Sequence, residues 1–340
     1  MRRARVRLKD IADRTGFSIN TVSLALRESP RIPAETRKVI RAAADSLNYL
    51  PNQIAKSLVK RETRTVGLVL TNILNPTLTQ TAQTLERMLA DRGYSILFAT
   101  SNNTVEQEDA VIDMFRSRQV DGMLVYPTRH CRLDRVRALR QAGYPIVLLV
   151  ALPDAAGVDA VSVDDRSGAY KATRHLLELG HSRIGFLDSA HPLGNNEKRD
   201  GHLQALAEFG VARDDALICD PKGHGAGQGF DAMYRLMASA EPPTAVFAAN
   251  DSLAIGALRW CQKHGLDVPA DLSVVGFDNI ELAQFTAVSL TTINYAVQRL
   301  SRMAIDRLLA LIEAGDSLPP PRVTLLDPEL VVRESSGPPR

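Results

Sequence analysis

The chain has 340 residues, of which 45% are hydrophobic and 24% charged, a balance typical of soluble globular proteins. Its length exceeds one ordinary domain and fits a small module joined to a larger one. It contains no run of about eighteen apolar residues, and its basic start, MRRARVRLKD, lacks the apolar stretch of a secretory signal. We therefore expect a cytoplasmic protein rather than a membrane or exported one.

Charge is distributed unevenly along the chain. Residues 1–64 contain 15 Lys and Arg against 6 Asp and Glu, whereas the remainder contains 26 against 33. A basic head on an acidic body indicates that the N-terminal part meets a polyanion such as nucleic acid. A solvated charged face would give the same counts, so charge alone leaves both interpretations open.

The first 50 residues predict three short helices and no strand. Gly16 is expected to end the first helix and Ser18 to cap the second, whereas Pro33 fits the first turn of a third at about 34–47. Apolar residues at helical spacing give the three helices their buried faces: Leu8, Ile11 and Ala12; Val22, Ala25 and Leu26; Val39, Ile40, Ala43 and Leu47.

The start of the second helix carries the residues that could contact a partner. Ile19, Asn20 and Ser23 are predicted to project away from its buried face. A helix-turn-helix places the start of its second helix in the DNA major groove, where Asn can pair with adenine and an apolar tip can meet a thymine methyl. A plain three-helix bundle with incidental polar residues is the alternative.

From Thr65 onward the sequence alternates between short apolar runs and amphipathic stretches, which predicts βαβ units with buried parallel sheets. One sheet would need too many strands, so we expect two α/β lobes. The predicted strands are 66–70, 94–100, 121–126, 145–150, 160–163, 183–188, 244–249 and 272–278. The predicted helices are 79–92, 106–118, 133–142, 166–179, 197–209, 251–264 and 297–313.

Across residues 5–335 the sequence resembles the LacI/GalR transcription regulators. The headpiece run LKDIADRTGFSINTVSLALRESPRIPAETRKVI, followed by LNYLPNQIAKSL, carries the most specific part of the likeness. Further blocks follow in the family's order: DGMLVYP (121–127), VDDRSGAYKATRHLLELGHSRIGFL (163–187), PPTAVFAANDSLAIGAL (242–258), VPADLSVVGFDN (268–279) and SLTTI (289–293).

The resemblance implies four parts: an all-α helix-turn-helix headpiece (1–50), a hinge (51–63), an α/β core (64–335) and a tail (336–340). The core would be periplasmic-binding-protein-like, with two Rossmann-like lobes and parallel sheets, and the chain would cross between lobes more than once. We expect the tail to be frayed from Ser335. The family also implies a homodimer that reads a near-palindromic operator in double-stranded DNA, as a repressor of catabolic or transport genes.

By position, the resemblance assigns DNA recognition to Ser18, Ile19, Asn20, Thr21 and Ser23. Leu24 departs from the family, because many members have Arg or His there, so one base contact is expected to be missing. Thr36 and Arg37 match a region expected to contact phosphates, which position a protein without specifying sequence.

The hinge segment 52–58 is short and helix-capable, with Asn52 as its expected cap. The resemblance implies that it orders in the DNA-bound dimer. Leu58 would then part the central base step, and Lys56 would stand where an Arg is usual. The alternative for Leu58 is an ordinary packed leucine.

The resemblance places a small-molecule effector between the lobes, which would control operator affinity. The matching positions are Thr77, Leu78, Lys198, His224, Asn250 and Asp278. Asp251 is expected to cap a helix rather than touch the ligand. Val150 stands where many members have Asp, and Thr77 and Leu78 where many have aromatics. The missing aromatics and acid argue against an ordinary hexose. Among sugars, sugar acids and other small metabolites, the adjacent Lys198 and Arg199 favour an anionic ligand with a carboxylate or phosphate.

Two other classes are weighed against a regulator. A solute-binding protein would need a signal peptide and no headpiece. An α/β enzyme with a fused headpiece would need catalytic groups, yet no GxGxxG, GxxxxGK[ST], HExxH or GxSxG is present. The glycine-rich KGHGAGQG is not expected to join a strand to a helix. The three cysteines, Cys131, Cys219 and Cys261, are too far apart for a CxxC site, and we expect no cofactor or metal.

Overall fold

The computed structural model describes residues 6–50, 62–129, 132–150, 157–189 and 196–340. The chain forms two compact units, Met1–Thr63 and Arg64–Arg340. None of the described helices is both long enough and apolar enough to cross a membrane.

The described part of the smaller unit contains three helices: α1 (Leu8–Thr15), α2 (Ile19–Leu26) and α3 (Ala34–Ser46). As predicted, Gly16 ends α1 in the left-handed region, with φ of 73°. Ile11, Val22 and Ile40 are fully buried at the centre of the three helices. The prediction for Val39 is wrong, because its side chain is 52% exposed. The buried residues of α3 are Ile40 and Ala44, so its buried face lies further around the helix than predicted.

The larger unit alternates strands and helices in chain order. They are β1 (Thr65–Leu70), α4 (Pro76–Ala90), β2 (Ser95–Thr100), α5 (Val105–Ser117), β3 (Gly122–Val125), α6 (Asp134–Gln141), β4 (Ile146–Leu148), β5 (Ala160–Val163), α7 (Asp165–Glu178), β6 (Ile184–Leu187), α8 (Glu197–Glu208), β7 (Ile218–Cys219), α9 (Ala226–Met237), β8 (Ala245–Ala248), α10 (Asp251–His264), β9 (Ser273–Asp278), β10 (Thr291–Asn294), α11 (Val297–Ala314), β11 (Val323–Leu326) and β12 (Glu329–Val331).

These strands form two six-stranded sheets, one in each lobe. The first lobe has the order β11-β5-β4-β3-β1-β2, and all of its strand pairs are parallel. The second lobe has the order β12-β10-β9-β8-β6-β7, in which only the β10–β12 pair is antiparallel. The chain crosses between lobes after β5, after β10 and between β11 and β12. The expected two-lobed core with several crossings is confirmed.

The sequence pattern did not predict four of the strands and one of the helices described in the larger unit. Strands β7, β10, β11 and β12 have two to four residues each and are polar or partly exposed, so they lack a compact apolar run. Helix α9 begins at Ala226 inside the glycine-rich stretch. The expectation that this stretch joins no strand to a helix is therefore wrong, since it lies between β7 and α9.

The expectation of a frayed tail from Ser335 is also wrong. Ser335 is fully buried, and its backbone N–H donates to the Ser289 carbonyl at 3.0 Å. Beyond it, the carbonyl of Gly337 lies 2.9 Å from Nε2 of His181. The C-terminal segment therefore packs on the second lobe.

A buried ion cluster fixes the return of the chain to the first lobe. The Asp159 carboxylate is fully buried. It accepts hydrogen bonds from Nε of Arg140 on α6 and Nε of Arg307 on α11, both at 2.6 Å. It also accepts one from the Arg322 backbone N–H at 2.9 Å, next to β11. One carboxylate thus joins three segments far apart in sequence.

We expect Asp159→Ala to lower the free energy of unfolding by about 3–5 kcal/mol, because it leaves the buried Arg140 guanidinium without its counter-ion. Urea unfolding followed by circular dichroism would measure the loss. As a control, Asp306→Ala removes the exposed partner of Arg92 and should cost about 0–1 kcal/mol. Similar small losses for both variants would contradict a central role for Asp159.

Candidate functional site

The start of α2 forms an exposed surface on the smaller unit. The Ser18 side chain accepts a hydrogen bond from the Thr21 backbone N–H at 3.1 Å, and the two hydroxyls lie 2.9 Å apart. The predicted Ser18 cap is therefore confirmed. Ile19 is 49% exposed and Asn20 is exposed, whereas Ser23 is half-buried. Capping fixes the backbone where Ile19 and Asn20 project.

The other predicted DNA-contacting residues are half-buried or lie outside the described residues. Leu24 and Thr36 are half-buried. Arg37, in the first turn of α3, donates from Nη1 to the Glu28 carbonyl at 3.4 Å. The hinge positions Asn52, Lys56 and Leu58 lie outside the described residues, so their roles stay predictions.

In the larger unit, both lobes line one cleft. Its empty space, counted with the part that is open to solvent, is about 880 Å³. The structure brings all six predicted effector positions together in its wall: Thr77, Leu78, Lys198, His224, Asn250 and Asp278. Parallel strands of each sheet end at the cleft, as expected for open α/β sheets.

A hydrogen bond crosses the cleft between the two lobes. The Thr77 hydroxyl, at the start of α4, donates to Oδ2 of Asp278, at the end of β9, at 2.8 Å. Burial raises the pKa of Asp278 to about 6, although Lys198 and the Thr77 hydrogen bond partly offset that rise. Asp278 therefore loses its proton at a higher pH than an ordinary aspartate does.

Lys198 is engaged within the cleft. Its Nζ donates to the Ala249 carbonyl at 2.9 Å, lies 3.8 Å from Oδ1 of Asp165, and sits 3.7 Å from the centre of the Phe277 ring. The adjacent Arg199 donates from Nε to the buried Asp188 at 2.8 Å. Lys198 lines the cleft, Arg199 is not among the described residues that line it, and each of the two cations lies near a carboxylate.

Asn250 was expected to contact the effector and Asp251 to cap a helix, but Asn250 is the residue that caps the helix. Asn250 caps α10, since its side chain accepts from the Leu253 backbone N–H at 2.8 Å. The prediction that Asp251 is the cap is wrong. Its fully buried carboxylate instead accepts from the Ile280 N–H at 2.8 Å and the Thr292 hydroxyl at 2.5 Å. Burial is the main reason that the pKa of Asp251 rises to about 8.

The cleft also contains residues that the sequence analysis did not select. Asp165 comes directly after the Asp164 cap of α7, just beyond β5, and Tyr126 follows β3. The rule that ligands bind at strand ends could have found both. Tyr295 follows β10, a strand that the pattern missed. Burial lowers the pKa of His224, and the charge of Lys198 lowers it further, which favours a neutral imidazole in the wall.

Comparison with known proteins decides the family. Residues 7–52 match the model of the bacterial regulatory proteins of the lacI family, and residues 173–336 match a periplasmic binding protein-like domain. Over 336 residues the chain is 32% identical to the HTH-type transcriptional regulator GalR of Escherichia coli K12, covering 98% of this chain and 96% of that protein. The chain belongs to the lacI family of bacterial regulatory proteins.

Two further comparisons support this assignment to the family. The HTH-type transcriptional repressor PurR of Vibrio atlanticus is 31% identical, with 96% of this chain and 98% of that protein covered. The lac repressor dimer bound to operator and the anti-inducer ONPF is 26% identical, with a TM-score of 0.86 over 98% of this chain and 99% of that one. The protein is thus a DNA-binding transcriptional regulator, and the enzyme and solute-binding alternatives are not favoured.

The raised pKa of Asp278 predicts a pH dependence of stability. Between its ordinary value of 3.8 and about 6, the folded chain holds a proton that the unfolded chain has lost. Stability therefore falls as pH rises through this window and stays lower above it. The Asp278→Asn variant lacks this titration. From about pH 4 to about pH 8, its free energy of unfolding should therefore rise by about 2 kcal/mol relative to that of the parent protein.

Urea unfolding at the two pH values would measure this gain. The matched control, Asp231→Asn, changes an exposed carboxylate on α9 and should leave the pH dependence as it is. If the free energy of unfolding of Asp278→Asn changes with pH as that of the parent protein does, burial of Asp278 does not govern the pH dependence of stability.

Proposed function

We propose that the protein is a cytoplasmic, homodimeric repressor whose operator affinity is controlled by a small molecule bound in the cleft. The observation that carries the proposal is the cleft itself. It is lined from both lobes, one hydrogen bond joins those lobes across it, and it belongs to a chain with a helix-turn-helix unit. A ligand there can change the relation between the lobes, which links the ligand to DNA binding.

Sequence reading is proposed for the start of α2. Asn20 offers an amide that can form two hydrogen bonds with adenine, and the exposed Ile19 offers an apolar tip for a thymine methyl. The bond between Ser18 and Thr21 fixes the backbone below these side chains. Arg37 and Thr36 are proposed to position the unit on phosphates, while Ser23 and Leu24 flank the base-reading residues.

Dimer formation is supported by exposed apolar side chains on both lobes of the larger unit. Phe98 is 56% exposed on β2, at the edge of the first sheet. Phe285 is 70% exposed in the second lobe. The related lac repressor binds its operator as a dimer, and a two-fold dimer suits a near-palindromic site.

The proposed effector is a neutral, hydroxyl-rich small molecule. Asp165 and Asp278 contribute two carboxyl groups to the cleft against one ammonium, Lys198, which already has partners. Much of the remaining wall offers neutral hydroxyl and amide groups, including those of Asn75 and Asn250. A related lacI-family regulator from Enterococcus faecium has bound ribose; it is 26% identical, with a TM-score of 0.71 over 81% of this chain and 99% of that one.

Effector binding is proposed to act through Asp278. Its carboxylate accepts the Thr77 hydroxyl from the opposite lobe. A ligand hydroxyl that takes this acceptor competes with Thr77, so binding changes a contact that joins the lobes. The hinge residues Asn52, Lys56 and Leu58 are proposed to carry that change to the operator.

Selection of genomic DNA by the full-length protein would supply the operator and test the function. We expect recovery of a near-palindromic sequence. Asn20→Ala should then weaken binding to it by about 1–3 kcal/mol and leave binding to random DNA nearly unchanged, because it removes a base contact. Arg37→Ala, at a proposed phosphate contact, should weaken both to a similar extent. Equal losses with Asn20→Ala would refute its base-reading role.

The effector site is tested with the same operator and a panel of neutral sugars and sugar acids. A sugar that changes the operator affinity of the parent protein should lose roughly tenfold or more of its apparent affinity in Asp278→Ala, because a charge-assisted hydrogen bond is lost. Operator binding without sugar should persist. A full sugar response in this variant would place the site elsewhere, and a response to sugar acids alone would reject a neutral effector.

A further inference from the structure

The strand-end corner that presents Asp278 to the cleft has an unfavourable backbone conformation. Asp278 has φ of 115° and Asn279 has φ of 55°, so two consecutive residues other than glycine lie at positive φ. Such conformations persist only where surrounding groups fix them. The direction of the Asp278 carboxylate therefore depends on what holds residues 278–280, which we call the 278–280 corner.

Two buried groups hold the backbone of this corner from below. The Ile280 N–H donates to Oδ2 of Asp251 at 2.8 Å, and the Asn279 N–H donates to Oγ1 of Thr292 at 3.3 Å. The Thr292 hydroxyl donates in turn to Asp251. These bonds fix the backbone N–H groups, but none of them fixes the Asn279 side chain.

Two side chains hold that of Asn279. One is Asn294, whose Oδ1 accepts from Asn279 Nδ2 at 3.4 Å, and the other is Arg333, which follows β12. Its Nη2 donates to Oδ1 of Asn279 at 2.7 Å, while its Nη1 donates to the Leu290 carbonyl at 2.7 Å. A guanidinium carries its donors in a rigid fork, so two acceptors held together restrict its position strongly. The Arg333 backbone N–H also donates to Oγ1 of Thr291 at 2.9 Å. The backbone from which the Arg333 side chain extends is therefore also held by a hydrogen bond.

We propose that Arg333 is a positioning residue for the effector site: through Asn279 it holds the 278–280 corner so that Asp278 meets Thr77 across the cleft. Arg333 is not among the described residues that line the cleft. It therefore acts on the ligand through Asp278 and not by contact. This inference rests on the proposed role of Asp278 in effector binding, and it makes the C-terminal segment a determinant of the response.

Hydrogen exchange in the full-length protein without ligand tests the proposal. Arg333→Ala should speed exchange of the Asn279 and Ile280 amides by roughly tenfold, because a charged hydrogen bond that restrains the corner is lost. The melting temperature should stay close to that of the parent protein. The matched control is Arg340→Ala. Arg340 also ties the C-terminal segment to the second lobe, through Asp271 at 2.6 Å, but does not contact the corner, so exchange there should not change.

A crystal structure of Arg333→Ala supplies a direct readout. We expect the distance from Thr77 Oγ1 to Asp278 Oδ2 to exceed hydrogen-bonding range and Asn279 to leave its positive φ. Unchanged exchange together with an unchanged corner would overturn the proposal. So would equal acceleration by Arg340→Ala, which would show that the segment merely stabilises the lobe.

The Arg333→Lys variant keeps the positive charge and provides a second test in case Arg333→Ala fails to fold. Lysine lacks the rigid fork, so we expect exchange at the corner to be faster than in the parent protein. Parent-like exchange in this variant would overturn the proposal. None of these readouts uses a ligand. If Asp278→Ala keeps the sugar response while Arg333→Ala still releases the corner, the effector role of Asp278 fails and the positioning role stands.

Discussion

A hydrogen bond from Thr77 to Asp278 joins the two lobes inside the cleft. It joins the start of α4 to the end of β9, two elements that belong to separate sheets. Its acceptor is a carboxylate whose burial raises its pKa to about 6, so the group is sensitive to any new donor or charge nearby. In the proposed function, a ligand in the cleft acts on this group, which already links the lobes.

Several parts of the second lobe support this one carboxylate. Asp251, buried below the 278–280 corner, accepts hydrogen bonds from two segments. Arg333 reaches the same corner from the C-terminal segment, which packs on the lobe through Ser335. In the first lobe, Asp159 joins α6, α11 and the segment before β11 in the same way. Buried carboxylates thus join segments that the repeated crossings of the chain bring together.

Much of the local structure followed from the sequence pattern. The Gly16 end of α1, the Ser18 cap of α2 and the eight compact apolar strands depend on interactions within a few residues, which a sequence displays directly. Short strands such as β10, whose residues are TTIN, carry no such signal, because their burial comes from neighbouring strands. Helix α9 was hidden by its glycine-rich start. Val39 faces solvent because it lies about 100° around α3 from the buried Ile40.

The sequence by itself determined the family, the division into a basic helical head and a two-lobed core, and six of the positions that line the cleft. Only the tertiary structure decided which partners those side chains have. Lys198 and Arg199 were already near carboxylates, Asp251 was a buried support and not a helix cap, and Arg333 reached a corner 54 residues away. The physical reason is that caps and strands depend on near neighbours in the chain, whereas burial and pairing depend on where the lobe crossings bring distant segments together.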